Sequence, residues 1–94
     1  MFIVLLKFSD NQKKAADLME AHMAWLKKGF DEGIFLLAGS LLPSQGGAIL
    51  AKSASVDSVR ERVSLDPFVV EKVVTAEILE VKPALVDSRL AGLF

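Results

Sequence analysis

The chain has 94 residues and no cysteine. That removes disulfides, a thiol nucleophile and iron–sulfur ligation together. It has one histidine, and with no cysteine beside it an intrachain zinc site lacks a ligand set. Ser40 and Ser44 have no second histidine to activate them, which excludes a serine-hydrolase triad. Charge of one sign is also scarce. The net charge is −1, and no basic cluster exceeds the pairs Lys13-Lys14 and Lys27-Lys28, so nucleic acid is not an expected partner. No apolar run approaches the length of a membrane span. The opening Met1-Phe2-Ile3-Val4-Leu5-Leu6 lacks the basic start, long apolar stretch and small-residue cleavage site of a signal peptide. Repeats and low-complexity stretches are missing too. A cytoplasmic protein with neither membrane nor nucleic-acid partner is the expectation.

What the chain does have is apolar residues, 52% of the total, enough for one well-buried domain over residues 1–94. Phe2 to Phe8 reads as a strand. Ser9, Asp10 and Asn11 offer N-caps for a helix reaching about Phe30, and Gly33 lets the chain turn out of it. Ile34 to Ala38 reads as a second strand, Gly39 to Gly47 as a loop and Ala48 to Lys52 as a third strand. Ser55 caps a short helix with Val56, Val59 and Val63 inward, and Asp66-Pro67 interrupts it. Val73 to Val81 is the fourth strand. After Pro83 an amphipathic tail, Ala84 to Phe94, has helical spacing.

The order β-α-β-β-α-β predicts an α+β fold of the ferredoxin-like kind, a four-stranded antiparallel sheet with both helices on one face. Such a sheet should show water an alternating polar face. The first strand does not, because Phe2, Val4, Leu6 and Phe8 point one way while Ile3 and Leu5 point the other. The second strand is likewise apolar on both faces. A homodimer packed sheet against sheet answers this, with the core in residues 1–82 and the tail (Leu85, Val86, Leu90, Leu93 and Phe94) at the interface.

His22 is the residue that asks for a function. At about 100° per residue it falls within an apolar stripe of Ala15, Leu18, Met19, Met23, Trp25, Leu26 and Phe30. An imidazole exchanges protons near neutral pH, and burying one is costly unless a partner satisfies it. Asp66 reads as an N-cap with Pro67 in the first helical position, a role that leaves its carboxylate able to serve a second donor. Asp31 lies on the far side of the helix from His22, which counts against it as a partner. Trp25 and Phe68 read either as core residues or as platforms for a bound ring.

Read in order, His22, Gly33-Ile34-Phe35-Leu36-Leu37-Ala38-Gly39, Gly46-Gly47 and Asp66-Pro67-Phe68 resemble the pattern of the YCII-related family of small dimeric ferredoxin-like proteins. The resemblance covers residues 1 to about 82. Ser40 stands where many relatives carry proline, and the glycine often found shortly after Asp-Pro-Phe is absent from Val69-Val70-Glu71-Lys72. The resemblance implies a dimeric α/β barrel and a histidine–aspartate pair carried here by His22 and Asp66. In some relatives it implies acid–base chemistry on small ring compounds, including dechlorination of a hydroquinone. With one histidine and no cysteine no metal is expected, and the chemistry expected needs no cofactor.

The expected function is therefore lyase- or isomerase-type proton transfer or elimination on a small cyclic or enolisable compound. His22 and Asp66 would be catalytic, with Trp25, Gly39, Ser40 and Phe68 around the substrate and backbone N–H groups near Gly39 toward a developing oxyanion. Two rivals stay open: a non-catalytic small-ligand-binding or accessory dimer, and an interaction domain without chemistry. A cavity reaching His22 separates the first two from the last.

Overall fold

In the computed structural model, which describes residues 1–93, Phe2–Phe8 forms strand β1, with Phe2, Val4 and Leu6 buried on one face. Strands β2 (Phe35–Leu41), β3 (Gly46–Ala51) and β4 (Val74–Glu80) complete a sheet in the order β2-β3-β1-β4. Every neighbouring pair is antiparallel. Helices α1 (Ala15–Asp31), α2 (Val56–Val63) and the single-turn α3 (Pro67–Val70) supply the other layer. This order of elements and strands is the ferredoxin-like arrangement.

The core lies between the layers. Val4 pairs laterally with Ile49 and Ile78, and this rung packs with Phe35, Val59, Val63 and Phe68. Gly29 lets α1 approach β2 closely, because a Cβ there would run into the Phe35 ring. Arg62 on α2 ties the helices together through an ion pair with Glu32 at 2.9 Å.

The opposite sheet face is uncovered. Leu37, Leu50, Ile3 and Leu79 form one lateral row across all four strands, with Gly39, Ala48, Leu5 and Glu77 in the next. Leu37 and Leu79 are 59% and 43% exposed.

Four expectations change. The helix begins at Ala15, after a 3-10 turn over Gln12–Lys14, and none of Ser9, Asp10 or Asn11 caps it. The Asn11 amide instead donates to the Glu71 carbonyl at 2.8 Å, so it fastens the loop to the end of α3. Gly39 and Ser40 belong to β2, not to a loop, because they pair with Ala48 and Gly47 as the hairpin register runs on toward the turn. Gly46 makes that close hairpin possible. It has φ +125°, and a Cβ would collide with the Leu6 carbonyl oxygen.

The tail is not an α-helix. Only Ala91–Leu93 makes a 3-10 turn, and residues 82–93 are all exposed. A segment this short does not hold a helix in water without a surface to pack against. Phe94 lies outside the described residues. Finally, Met19, Met23 and Phe30 are 45%, 54% and 42% exposed despite their place in the apolar stripe.

Candidate active site

Asp66 ends the turn after α2 and begins α3. Its backbone is extended, and its Oδ1 accepts the Phe68 N–H at 3.0 Å as an N-cap, with Pro67 in the first helical turn. The same Oδ1 lies 2.7 Å from His22 Nδ1, which joins α3 to the middle of α1. One oxygen thus serves both cap and imidazole. The other, Oδ2, is buried with no hydrogen-bond partner in a residue that is 0% exposed. With Asp66 as carboxylate, Nδ1 carries the proton and donates it, so Nε2 is the ring's free position.

The imidazole is held on its faces as well as at Nδ1. The Phe68 ring stacks parallel to it, with centroids 4.0 Å apart. Trp25 lies farther off, at 5.8 Å. The Asp66-Pro67-Phe68 step therefore fixes both the azimuth and the plane of the ring.

Beside His22 a cavity of about 500 Å³ opens between α1 and the sheet. This falls in the ordinary range for small-molecule sites. Leu6 and Phe8 of β1, Ile49 of β3 and Val74 of β4 make its apolar floor. From α1, His22 and Leu26 form an inner row, while Met19, Met23 and Lys27 form an outer row at four-residue spacing. Ala38, Gly39 and Ser40 make the β2 wall opposite. His22 Nε2 has no partner among the described residues and is not sealed from solvent. Lys27 is the single lysine or arginine of the lining. Asp31, 2.8 Å away, raises its pKa above the ordinary 10.5 by hydrogen bonding and by charge.

Of the residues singled out in the sequence, the structure gathers His22, Asp66, Phe68, Gly39 and Ser40 around this space, with Asp66 behind the imidazole. Trp25 does not line it. Its indole N–H donates to the Arg62 carbonyl at 3.0 Å, and its ring meets Phe35 edge-on. It borders a separate groove with Lys28, Ile34, Ser58 and Leu65. Asp31 is occupied by Lys27 and stands away from His22. Sequence reasoning missed Lys27, which it names only as half of the basic pair Lys27-Lys28. Its spacing from Met19 and Met23 was the available signal.

Among the described residues no three His, Cys, Asp or Glu side chains gather as a metal set, and no helix is long and apolar enough to cross a membrane.

Fold and site together define the class: a ferredoxin-like α+β protein with an imidazole–carboxylate pair beside an apolar cavity. The YCII-related domain matches residues 1–84, and the chain belongs to that family. A similar solved structure is the 5-chloro-2-hydroxyhydroquinone dehydrochlorinase from Burkholderia phenoliruptrix in complex with 2,5-dihydroxybenzoquinone. It is 18% identical, with a TM-score of 0.73, over 89% of this chain and 96% of that one. At that identity the likeness is one of fold. No curated protein matches the chain.

Proposed function

We propose that this protein is a small cytoplasmic enzyme that moves protons on a cyclic or enolisable compound, with His22 as the acid–base group and Asp66 as its orienting partner. The observation that carries the reading is the 2.7 Å bond from a fully buried carboxylate to the chain's one imidazole, at the wall of a ligand-sized cavity. Asp66 directs the proton to Nδ1 and leaves the Nε2 lone pair for substrate. Nε2 takes a proton from a carbon beside a carbonyl, where the C–H pair becomes the enolate double bond and the carbonyl π pair moves onto oxygen, or from a ring hydroxyl conjugated with a carbonyl, whose oxygen pair delocalises onto that carbonyl. The imidazolium so formed is stabilised by Asp66. It then returns the proton to another carbon in an isomerisation; in an elimination the electron pair returns to form a double bond, the leaving group departs with its bonding pair, and the imidazolium gives up its proton to that group or to solvent.

Apolar walls exclude water and strengthen the electrostatic terms. The Ser40 hydroxyl, backbone groups near Gly39 and the rim ammonium of Lys27 are the groups available to a developing oxyanion. The similar solved enzyme is a dehydrochlorinase, and dehydrochlorination is one elimination of this type. The working unit in this reading is a homodimer joined through the apolar row Leu37–Leu50–Ile3–Leu79.

Deuterium exchange tests the chemistry before the natural substrate is known. A panel of hydroxyquinones and cyclic dicarbonyls is incubated with protein in D₂O and followed by proton NMR. The parent should speed carbon-bound exchange in at least one compound, and His22→Gln should lower that rate by about 10²–10⁴. Binding without exchange would favour the ligand-binding dimer. Exchange unchanged in His22→Gln would remove His22 from the mechanism.

A further inference from the structure

We propose that the cavity takes an acidic compound of two fused rings, one against His22 and the other reaching the mouth among Met19, Met23 and Phe30. The inference rests on the reading of this cavity as the substrate site and goes on to name what fills it.

Size carries the first half. An apolar cavity of about 150 Å³ holds one benzene ring. This one measures about 500 Å³, so a single ring at His22 fills only about a third of it. The space is also undivided. On the sheet side, Ala38 shares the rung of Ile49, and Ser40 and Gly47 share that of Leu6, so these three belong to the face turned toward α1. None of them carries a side chain larger than a hydroxymethyl group, which leaves a flat wall. On the helix side His22, Leu26 and Phe30 repeat at four-residue spacing, a row about 12 Å long from the imidazole to the mouth. Phe30 is held edge-on against Phe35, with centroids 6.2 Å apart. Phe30, Met19 and Met23 all border the cavity and all remain substantially exposed. A second ring laid among them takes that apolar surface out of water, and the thioethers adapt to its faces and edges.

Charge carries the second half. The lining contains no carboxylate, and its ionisable side chains are His22 and Lys27. Asp31 engages the Lys27 ammonium from outside the lining, and Asp66 stands behind the imidazole. An ammonium has three donors, so the bond to Asp31 leaves two for the oxygen of an ionised enol or phenol. The ammonium is exposed to solvent, which makes it a selector of charge and leaves the bulk of the affinity to the apolar walls.

NMR titration of the full chain tests this with a matched pair of ionised enols, 4-hydroxycoumarin and its one-ring counterpart 4-hydroxy-6-methyl-2-pyrone. The one imidazole and the three methionines are the reporters, with Met1 outside the cavity as a control. The coumarin should bind at least about tenfold tighter than the pyrone, because the added ring is buried. It should shift the His22 ring protons and the Met19 and Met23 methyl groups, whereas the pyrone should shift chiefly His22. The coumarin anion should also bind more tightly than neutral 4-methoxycoumarin. That preference should fall by about two- to fivefold in Lys27→Met/Asp31→Asn, which removes both charges at the mouth. Equal affinities for coumarin and pyrone, or coumarin shifts that bypass His22 or the two methionines, overturn the inference. So does a charge preference that the double variant leaves unchanged. Deuterium exchange into the same compounds reads the proposed chemistry separately. Two-ring binding without His22-dependent exchange upholds the ligand class and removes the catalysis. Exchange that depends on His22 but favours the pyrone overturns the ligand class and leaves the catalysis standing.

Discussion

Replacing Asp66 one function at a time separates the cap from the imidazole partner, because a single oxygen performs both. Asp66→Ala leaves two buried donors without an acceptor, the Phe68 N–H and His22 Nδ1–H. Each such loss costs about 1–3 kcal/mol, and the imidazole can shed part of its share by moving its proton to Nε2. The expected total is about 2–4 kcal/mol. Asp66→Ser restores an N-cap, worth about 1 kcal/mol, but its hydroxyl is too short to serve the imidazole as well. Asp66→Asn keeps an oxygen for both donors and brings an NH₂ to the place of Oδ2, which has no partner now. That stranded donor costs about 1–3 kcal/mol, so the isosteric change is not benign. Urea unfolding gives the four stabilities. Long-range proton–nitrogen NMR on the chain's one imidazole reports which ring nitrogen holds the proton. Nδ1–H is expected in the parent and in Asp66→Asn, with a shift toward Nε2–H in the serine and alanine variants. If Asp66→Ser is as unstable as Asp66→Ala, the cap contributes nothing. If the tautomer is the same in all four proteins, Asp66 does not orient His22.

Two further outcomes follow from residues outside the cavity. The Arg62 guanidinium holds Glu32 below its ordinary 4.5, chiefly by hydrogen bonding. A carboxylate depressed in the folded state stabilises above its unfolded value and loses that contribution as pH falls through the folded one. Glu32→Gln should therefore be less stable than the parent at pH 7 in low salt, with the gap closing below about pH 4 and shrinking in high salt; a gap independent of pH in urea titrations would refute the ion pair as its source. Lys72 sits at φ +59° where α3 ends, with its N–H on the Val69 carbonyl and the Val73 N–H on the Phe68 carbonyl. This is the C-terminal motif that favours glycine. Lys72→Gly should raise stability by up to about 1 kcal/mol, the relief of a left-handed lysine less glycine's entropy cost; a lower unfolding midpoint would refute the strain.

The elements legible in the sequence are those with strong periodicity or explicit caps. β1 is a run of apolar and β-branched residues from Phe2 to Phe8 broken only by Lys7, and Ser55 accepts the Ser58 N–H as the N-cap of α2. Gly33, at φ +74°, ends α1 with the same pair of bonds that Lys72 closes for α3. Chain composition stopped being informative where partners across the fold decide the outcome. Asn11 looked like a cap because its local surroundings favour one, yet the Glu71 carbonyl, sixty residues away, takes its amide. Gly39 and Ser40 have poor strand propensity, and pairing with β3 overrides it. The tail has helical spacing but stays exposed from residue 82 to 93, where nothing packs to hold a helix.

Of the site, His22 was legible from its place in an otherwise apolar stripe, but its pairing with Asp66 was legible only through the resemblance to the YCII-related pattern, because no local signal joins residues 44 apart. The structure then compresses the surroundings of the imidazole into three adjacent residues: Asp66 caps α3 and accepts from the imidazole, Pro67 lies in the first helical turn, and Phe68 covers a face of the ring. Trp25 misled because a helix has more than one inward direction. Three residues past His22, it turns to α2 and the Arg62 carbonyl, whereas the four-residue steps to Leu26, and from Met19 through Met23 to Lys27, stay on the cavity side. The same geometry bears on chemistry. The inner row brings an imidazole to the wall of an apolar cavity, and the outer row sets one cation at its mouth. A ligand bridging them would present an apolar ring to the floor and an acidic oxygen to the rim, which is the shape of an enolisable ring compound.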